Sequence, residues 1–258
     1  EPQYEVAVKD NLIHSYKVVA MNDGGKSFPS EILSLGVAPN SKGTVMVVNG
    51  FTRVSAPDWF EAGEIAGFYD ERDHGVPYVN DISFIGSQFE FRREIPWMDD
   101  DAAGFGASRS NYETKVIAGN TFDYPIVHGE AIMAAGYSFV SSSMDAFAGK
   151  SFNAEQYPVV DIIMGKQKEV KIGRGAVPNR YKTMSPELMT TITEYTKTGG
   201  NVMLTGSFIA TDIWDKKNAV EEEKAFAADV LGYKWRVGQA AIVGKIHSVP
   251  SIHSKLSD

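Results

Sequence analysis

The chain contains no cysteine. That excludes disulfides, a thiolate nucleophile and zinc sites built on sulfur. Positive charge is also scarce: 25 Lys and Arg stand against 33 Asp and Glu, for a formal net charge of −8. Without a basic cluster, nucleic acid and anionic membrane surfaces are poor partners. No apolar run approaches the roughly 20 residues that cross a bilayer. The opening residues, EPQYEVAV, lack the basic and apolar regions of a secretory signal. They read as an internal cut, so further flanking domains of a longer chain are expected. The Lys-rich loop GKQKEVKIGRG (165–175) lacks the Gly-x-x-x-x-Gly-Lys-Ser/Thr spacing of a phosphate-binding loop and reads as a solvated loop beyond a strand end. Repeats and low-complexity segments are missing as well.

What is present is the composition of an ordinary globular protein: 258 residues, 43% hydrophobic and 22% charged, enough for one large domain with or without a small module. HSYKVVAMNDGGKSFPSEILSLGVA (14–38) reads as two strands joined by a turn at Asn22-Asp23-Gly24-Gly25. Pro39 to Gly43 makes a linker-like break. The pattern then changes to continuous apolar runs, as in strands buried on both faces, near 44–48, 138–142, 157–164 and 201–206. Helical periodicity lies between them, over 126–137 and 185–200, and after the last of them, over 218–232. In the second of these Ser185 is a cap, Pro186 suits the first turn, and Gly199 ends the helix. Strands alternating with helices predict an α/β fold, a doubly wound and mostly parallel sheet covered on both faces. Residues 50–118 are irregular, aromatic and rich in Gly and Asp, a functional excursion or an embellishment.

Two resemblances add to this reading. YKVVAMNDGGKSFPSEILSLGV, with Tyr16 as its F-strand tyrosine, resembles the last strands of a fibronectin type III module. It implies a partial N-terminal β-sandwich over 1–38, followed by a linker at 39–43. From residue 44 the blocks TVMVVNGFTRVSAP, PWMDDDAAGFGAS, VIAGNTFDYPIVHGEAI, YSFVSSSMDA, VVDIIMGKQKE and GGNVMLTGSFIATDIWD resemble the glutamine-amidotransferase-like α/β domain of secreted Bacteroidetes proteins. Those proteins are often labelled xanthan lyases or golvesin- and amidase-associated proteins. The resemblance implies that 44–258 is such a domain, expected to stop short of its full C-terminus. It implies secretion, a periplasmic or cell-surface location, and polysaccharide or cell-wall glycan as partner. Xanthan lyases carry a helical toroid, and nothing here reads as one. The expectation is therefore an accessory, non-catalytic domain, with an active hydrolase or lyase as the alternative.

The candidate sites follow from the strand ends. GSFIA (206–210) sits where amidotransferase-like enzymes carry a Gly-x-Cys-x-Gly nucleophile elbow. Aligned on its first Gly, the nucleophile position falls on Phe208; aligned on Ser207, Thr205 replaces the first Gly. Ser207 is thus a weak nucleophile candidate that needs a histidine base, His128 or His247, and is otherwise part of a structural turn. Asp123, Tyr124 and His128 stand at the start of a helix, where a base or ligand could sit or a cap could form. Asp99, Asp100 and Asp101 could bind calcium, although they lack the Asp-x-Asp/Asn-x-Asp/Asn-Gly spacing of an EF-hand. In open α/β sheets ligands sit beyond the C-terminal strand ends. That rule points to Asn49, Ser141, Gly165 and Ser207, with Trp59 and Trp97 as stacking platforms for a sugar or as members of a satellite core.

Overall fold

The structure, a computed structural model, describes residues 3–26, 30–51, 58–69, 124–165, 167, 169, 182–215 and 219–238. Its centre is a parallel array of four strands: β5 (Thr44–Asn49), β8 (Ser138–Ser143), β9 (Val159–Ile163) and β10 (Asn201–Thr205). Each expected apolar run is a strand. Antiparallel strands β4 (Leu33–Gly36) and β1 (Ile13–Tyr16) extend the sheet, giving the order β1-β4-β8-β5-β9-β10. The sheet is therefore mostly parallel and mixed, an α/β arrangement.

Strand alternation sends two sets of side chains to opposite faces. Met46, Val48, Val160 and Ile162 join one core with α2 (Met144–Ala148), α3 (Pro186–Lys197), α4 (Thr211–Trp214) and α5 (Glu221–Asp229). Val45, Val47, Phe139 and Ile163 join the other with α1 (Tyr124–Ala134). Helix α3 is built as its sequence demands: the Ser185 hydroxyl accepts from Leu188 N, Pro186 starts the helix, and Gly199 follows it at φ 93°. The outermost parallel strand departs from expectation. β10 is half exposed, with Met203 at 53%, because it is the last strand of the sheet and no described helix covers its α1-side face.

The N-terminal segment carries the expected turn. The turn forms as read, with Asn22 opposite Gly25 across short strands β2 (Met21–Asn22) and β3 (Gly25–Lys26), and Gly24 N donating to Asn22 Oδ1 at 2.8 Å. β2 and β3 pair with each other in a sheet of their own. Among the described residues, β4 and β1 are strands of the main sheet. A seam of serines joins them: Ser34 N donates to Ser141 Oγ, which donates back to Ser34 O, both at 2.6 Å, and Ser15 and Ser34 share a hydroxyl contact at 2.8 Å. The linker-like residues are stitched in too. Ser138 N donates to Ser41 Oγ and Gly43 O, and Lys42 N donates to Gly136 O, each at 3.0 Å. A second hairpin, β6 (Asp58–Ala62) with β7 (Ile65–Tyr69), lies inside the irregular stretch and forms its own two-stranded sheet.

Helix α1 approaches the sheet closely because two glycines frame one ring. A Cβ on Gly129 would lie 2.1 Å from Phe139 Cζ, and one on Gly36 would lie 2.8 Å from Phe139 Cε1 and 2.3 Å from Met133 Sδ. The ring cannot retreat from either side. Gly129→Ala would gain about 1 kcal/mol of helix propensity, whereas forcing a methyl into a filled core costs about 1–3 kcal/mol. We expect a net loss of about 0–2 kcal/mol, read as a lower urea midpoint at unchanged slope; a raised midpoint would contradict this packing.

Candidate functional site

The GSFIA turn is held from several sides. Ser207 N donates to Gly165 O at 2.8 Å, and Met164 N donates to Thr205 O at 2.7 Å. A Cβ on Gly206 would stand 2.7 Å from Met164 Cβ. Just beyond, Asp212 in α4 gathers backbone and hydroxyl donors from elsewhere. Glu169 N reaches both its oxygens at 3.0 Å, while Thr183 N (3.2 Å) and Thr183 Oγ1 (2.7 Å) reach Oδ2. Thr183 is fully buried. Asp212 therefore ties Glu169 to Thr183. Ser207 is exposed and makes no described hydrogen bond to a histidine. His247, the other proposed base, lies outside the described residues.

His128 is engaged elsewhere. Its Nδ1 lies 2.6 Å from Asp161 Oδ2, with side-chain exposures of 25% and 7%. Asp161 is in the middle of β9, opposite Val47 on one side and Met203 on the other. The helix brings His128 to it because Gly129 lets α1 sit low on the sheet. An aspartate on Nδ1 fixes the ring's orientation and leaves Nε2 as the outward atom, the arrangement that orients a base in hydrolytic triads. The other carboxylate oxygen, Asp161 Oδ1, is buried with no hydrogen-bond partner among the described residues. Of the expected cluster, Tyr124 packs edge-on to Phe51 at 5.7 Å, and its burial raises the hydroxyl pKa. Asp123 lies outside the described residues.

A second polar pair occupies the C-terminal end of β5. Asn49 is fully buried, and its Nδ2 donates to Glu31 Oε2 at 3.3 Å. Asn49 Oδ1 is buried with no partner among the described residues. Burial pushes the Glu31 carboxyl up to about 7; the Asn49 hydrogen bond opposes this, and the charge of Asp145 adds to it. Alternation places Asn49 and Asp161 on the same face of neighbouring strands, one diagonal step apart, since Val47 pairs with Asp161 and Asn49 with Ile163.

The ligand residues expected at the strand ends divide. Asn49, Gly165 and Ser207 lie at the C-terminal edge of the parallel strands, where Gly165 at φ 51° turns the chain. Ser141 does not face that crevice, because its hydroxyl is spent in the serine seam. Trp59 is on β6, its side chain outside the description; Trp97, Asp99, Asp100 and Asp101 lie outside the described residues. Among the described residues, no group of three or more His, Asp or Glu could hold a metal ion. Asp161, Glu31 and Asp212 are not evident from motif spacing. Only Asp161 carries a usable signal, an acid in the centre of the apolar run VVDIIM.

Comparison of the chain with protein-family models, with curated proteins and with solved structures finds no match.

Two measurements test the two pairs. His128→Ala leaves both oxygens of Asp161 without a partner and should cost about 1–3 kcal/mol or more; adding Asp161→Asn should recover part of that loss, and strict additivity would show that the pair is not coupled. For Glu31, the folded pKa of about 7 exceeds the 4.5 of an unperturbed glutamate. The folded state therefore holds the proton more tightly, and stability from this group is full below about pH 4.5 and is lost as pH rises through about 7. The loss is at most on the order of 3 kcal/mol. Glu31→Gln should flatten the stability profile across that window, and an unchanged profile would remove Glu31 as its cause.

Proposed function

We propose that the chain is an accessory α/β domain of a secreted, periplasmic or cell-surface protein that handles glycans. Its core on this reading is a doubly wound, glutamine-amidotransferase-like domain, and its N-terminal hairpin is a fibronectin type III-like segment built onto the sheet edge. The supporting observation is the use of the GSFIA turn. Its backbone and the neighbouring Asp212 are occupied in holding the chain together, and the exposed Ser207 has no described histidine partner. The resemblance to the xanthan lyase-labelled family supplies the glycan. The ligand lies at the strand C-termini beside Asn49 and Gly165, with Trp59 or Trp97 stacking on a sugar ring.

One observation favours a second reading. The contact between His128 and Asp161 is two-thirds of a hydrolase triad, so an active hydrolase or lyase would use His128 as its base. Both readings are tested with purified protein on a panel of polysaccharides and peptidoglycan. The accessory reading expects binding without turnover. By the scale of aromatic stacking, about 1–3 kcal/mol, Trp59→Ala or Trp97→Ala should weaken that binding roughly 5- to 150-fold. Turnover that disappears in His128→Ala would replace the accessory reading with the hydrolase, and neither binding nor turnover on any glycan would remove both.

A further inference from the structure

The N-terminal segment carries an unusual surface. Of the eleven exposed large hydrophobic residues described, seven fall within the first 21 positions: Tyr4, Val6, Val8, Leu12, Tyr16, Val18 and Met21, with Tyr4 at 90% and Val18 at 73%. Residues 3–9 are exposed and belong to no helix or strand. No backbone group of Tyr4 to Val8 has a described hydrogen-bond partner. Yet the stretch has the period of a strand, with Tyr4, Val6 and Val8 on one side and Glu5, Ala7 and Lys9 on the other. An alternating stretch with free backbone groups is a template for pairing with another strand.

Which strand fits is decided by charge and side. We propose that residues 4–10 pair with the same residues of a second copy of this chain, as an antiparallel ribbon with its two-fold axis at Ala7. In that register Val6 meets Val8 of the second copy, Glu5 meets its Lys9, and each contact occurs twice, as an isologous interface requires. Val6 and Val8 then oppose each other, and Glu5 and Lys9 oppose each other, the two kinds of cross-strand pair that stabilise a ribbon, while Tyr4 and Asp10 meet at its ends. The competing registers do worse. Parallel pairing sets Glu5 against Glu5 and Lys9 against Lys9. Moving the axis one residue either way, to Val6 or Val8, sets Glu5 opposite Ala7 or Lys9 opposite Ala7 and removes both ion pairs. Placing the axis between residues sets the apolar side of one strand against the polar side of the other. Two strands alone are marginal in water, so the association is weak and concentration-dependent.

Sedimentation of the 258-residue chain over a wide concentration range, with charge-swapped variants, tests this. The unchanged chain should pass from monomer to dimer. Lys9→Glu or Glu5→Lys turns two attractive pairs into two repulsive ones and should weaken dimerisation by about tenfold or more. The double variant Glu5→Lys with Lys9→Glu restores the pairing and should return the affinity to near its original value. These side chains are exposed, so folding is not at stake, and an unchanged urea midpoint confirms that. A chain that stays monomeric throughout, single variants that dimerise as well as the original, or a double variant that fails to recover would each overturn the proposal.

Discussion

The ring of Phe139 occupies the space where two side chains are missing. Gly36 on β4 and Gly129 on α1 press against it from two directions, and neither leaves room for a methyl group. Two consequences follow from this one contact. β4 can lie against β8, so that Ser34 and Ser141 meet at hydrogen-bond distance. α1 can lie low on the sheet, so that His128, one residue before the critical glycine, reaches a carboxylate rooted in the centre of β9. The edge of the sheet and the most chemically suggestive pair in the molecule rest on the same ring.

The two faces of the sheet differ in character. The face under α2, α3, α4 and α5 is a continuous apolar core in which Ile162, Leu188 and Ile192 are fully buried. Its polar groups are drawn to the rim: the Thr191 hydroxyl donates to Ala148 O, and Lys182 meets the buried Glu223 at 3.1 Å. The face under α1 carries Asp161 on its inner surface and Asn49 at its upper end, each with an oxygen that has no partner among the described residues. An unpaired buried acceptor costs about 1–3 kcal/mol.

Legibility from the sequence followed the range of the interaction. Strands such as TVMVV and VVDII declare themselves, because burial on both faces requires an unbroken apolar run. α3 declares itself through Ser185, Pro186 and Gly199, whose effects are local. The hairpin turn at Asn22–Gly25 was legible for the same reason. What the hairpin pairs with was not, because alternation in 13–36 says that one side is covered and not by what. Ser141 was legible as a strand-end serine, yet its partner lies 107 residues away in Ser34. Glu31 had no signal at all: its raised pKa comes from burial created by packing, and no motif encodes that. Asp212 belongs to a stretch that drew attention for Ser207, and the residue with the larger structural role was its acidic neighbour in α4.

The seam between β4 and β8 also sets a clock. Ala38 N meets Ser138 Oγ across 100 residues, and Ser34 meets Ser141 across 107. During synthesis at about 5–20 residues per second, the N-terminal hairpin is complete roughly 5–20 s before the strand that receives it exists. For that interval β4 presents an unpaired edge to everything else in its surroundings. Its defence is compositional: Gly36 and Ser34 weaken it as a free strand, and Pro39 closes the run soon after. The same small residues that let Phe139 and Ser141 dock late thus keep the edge quiet while it waits.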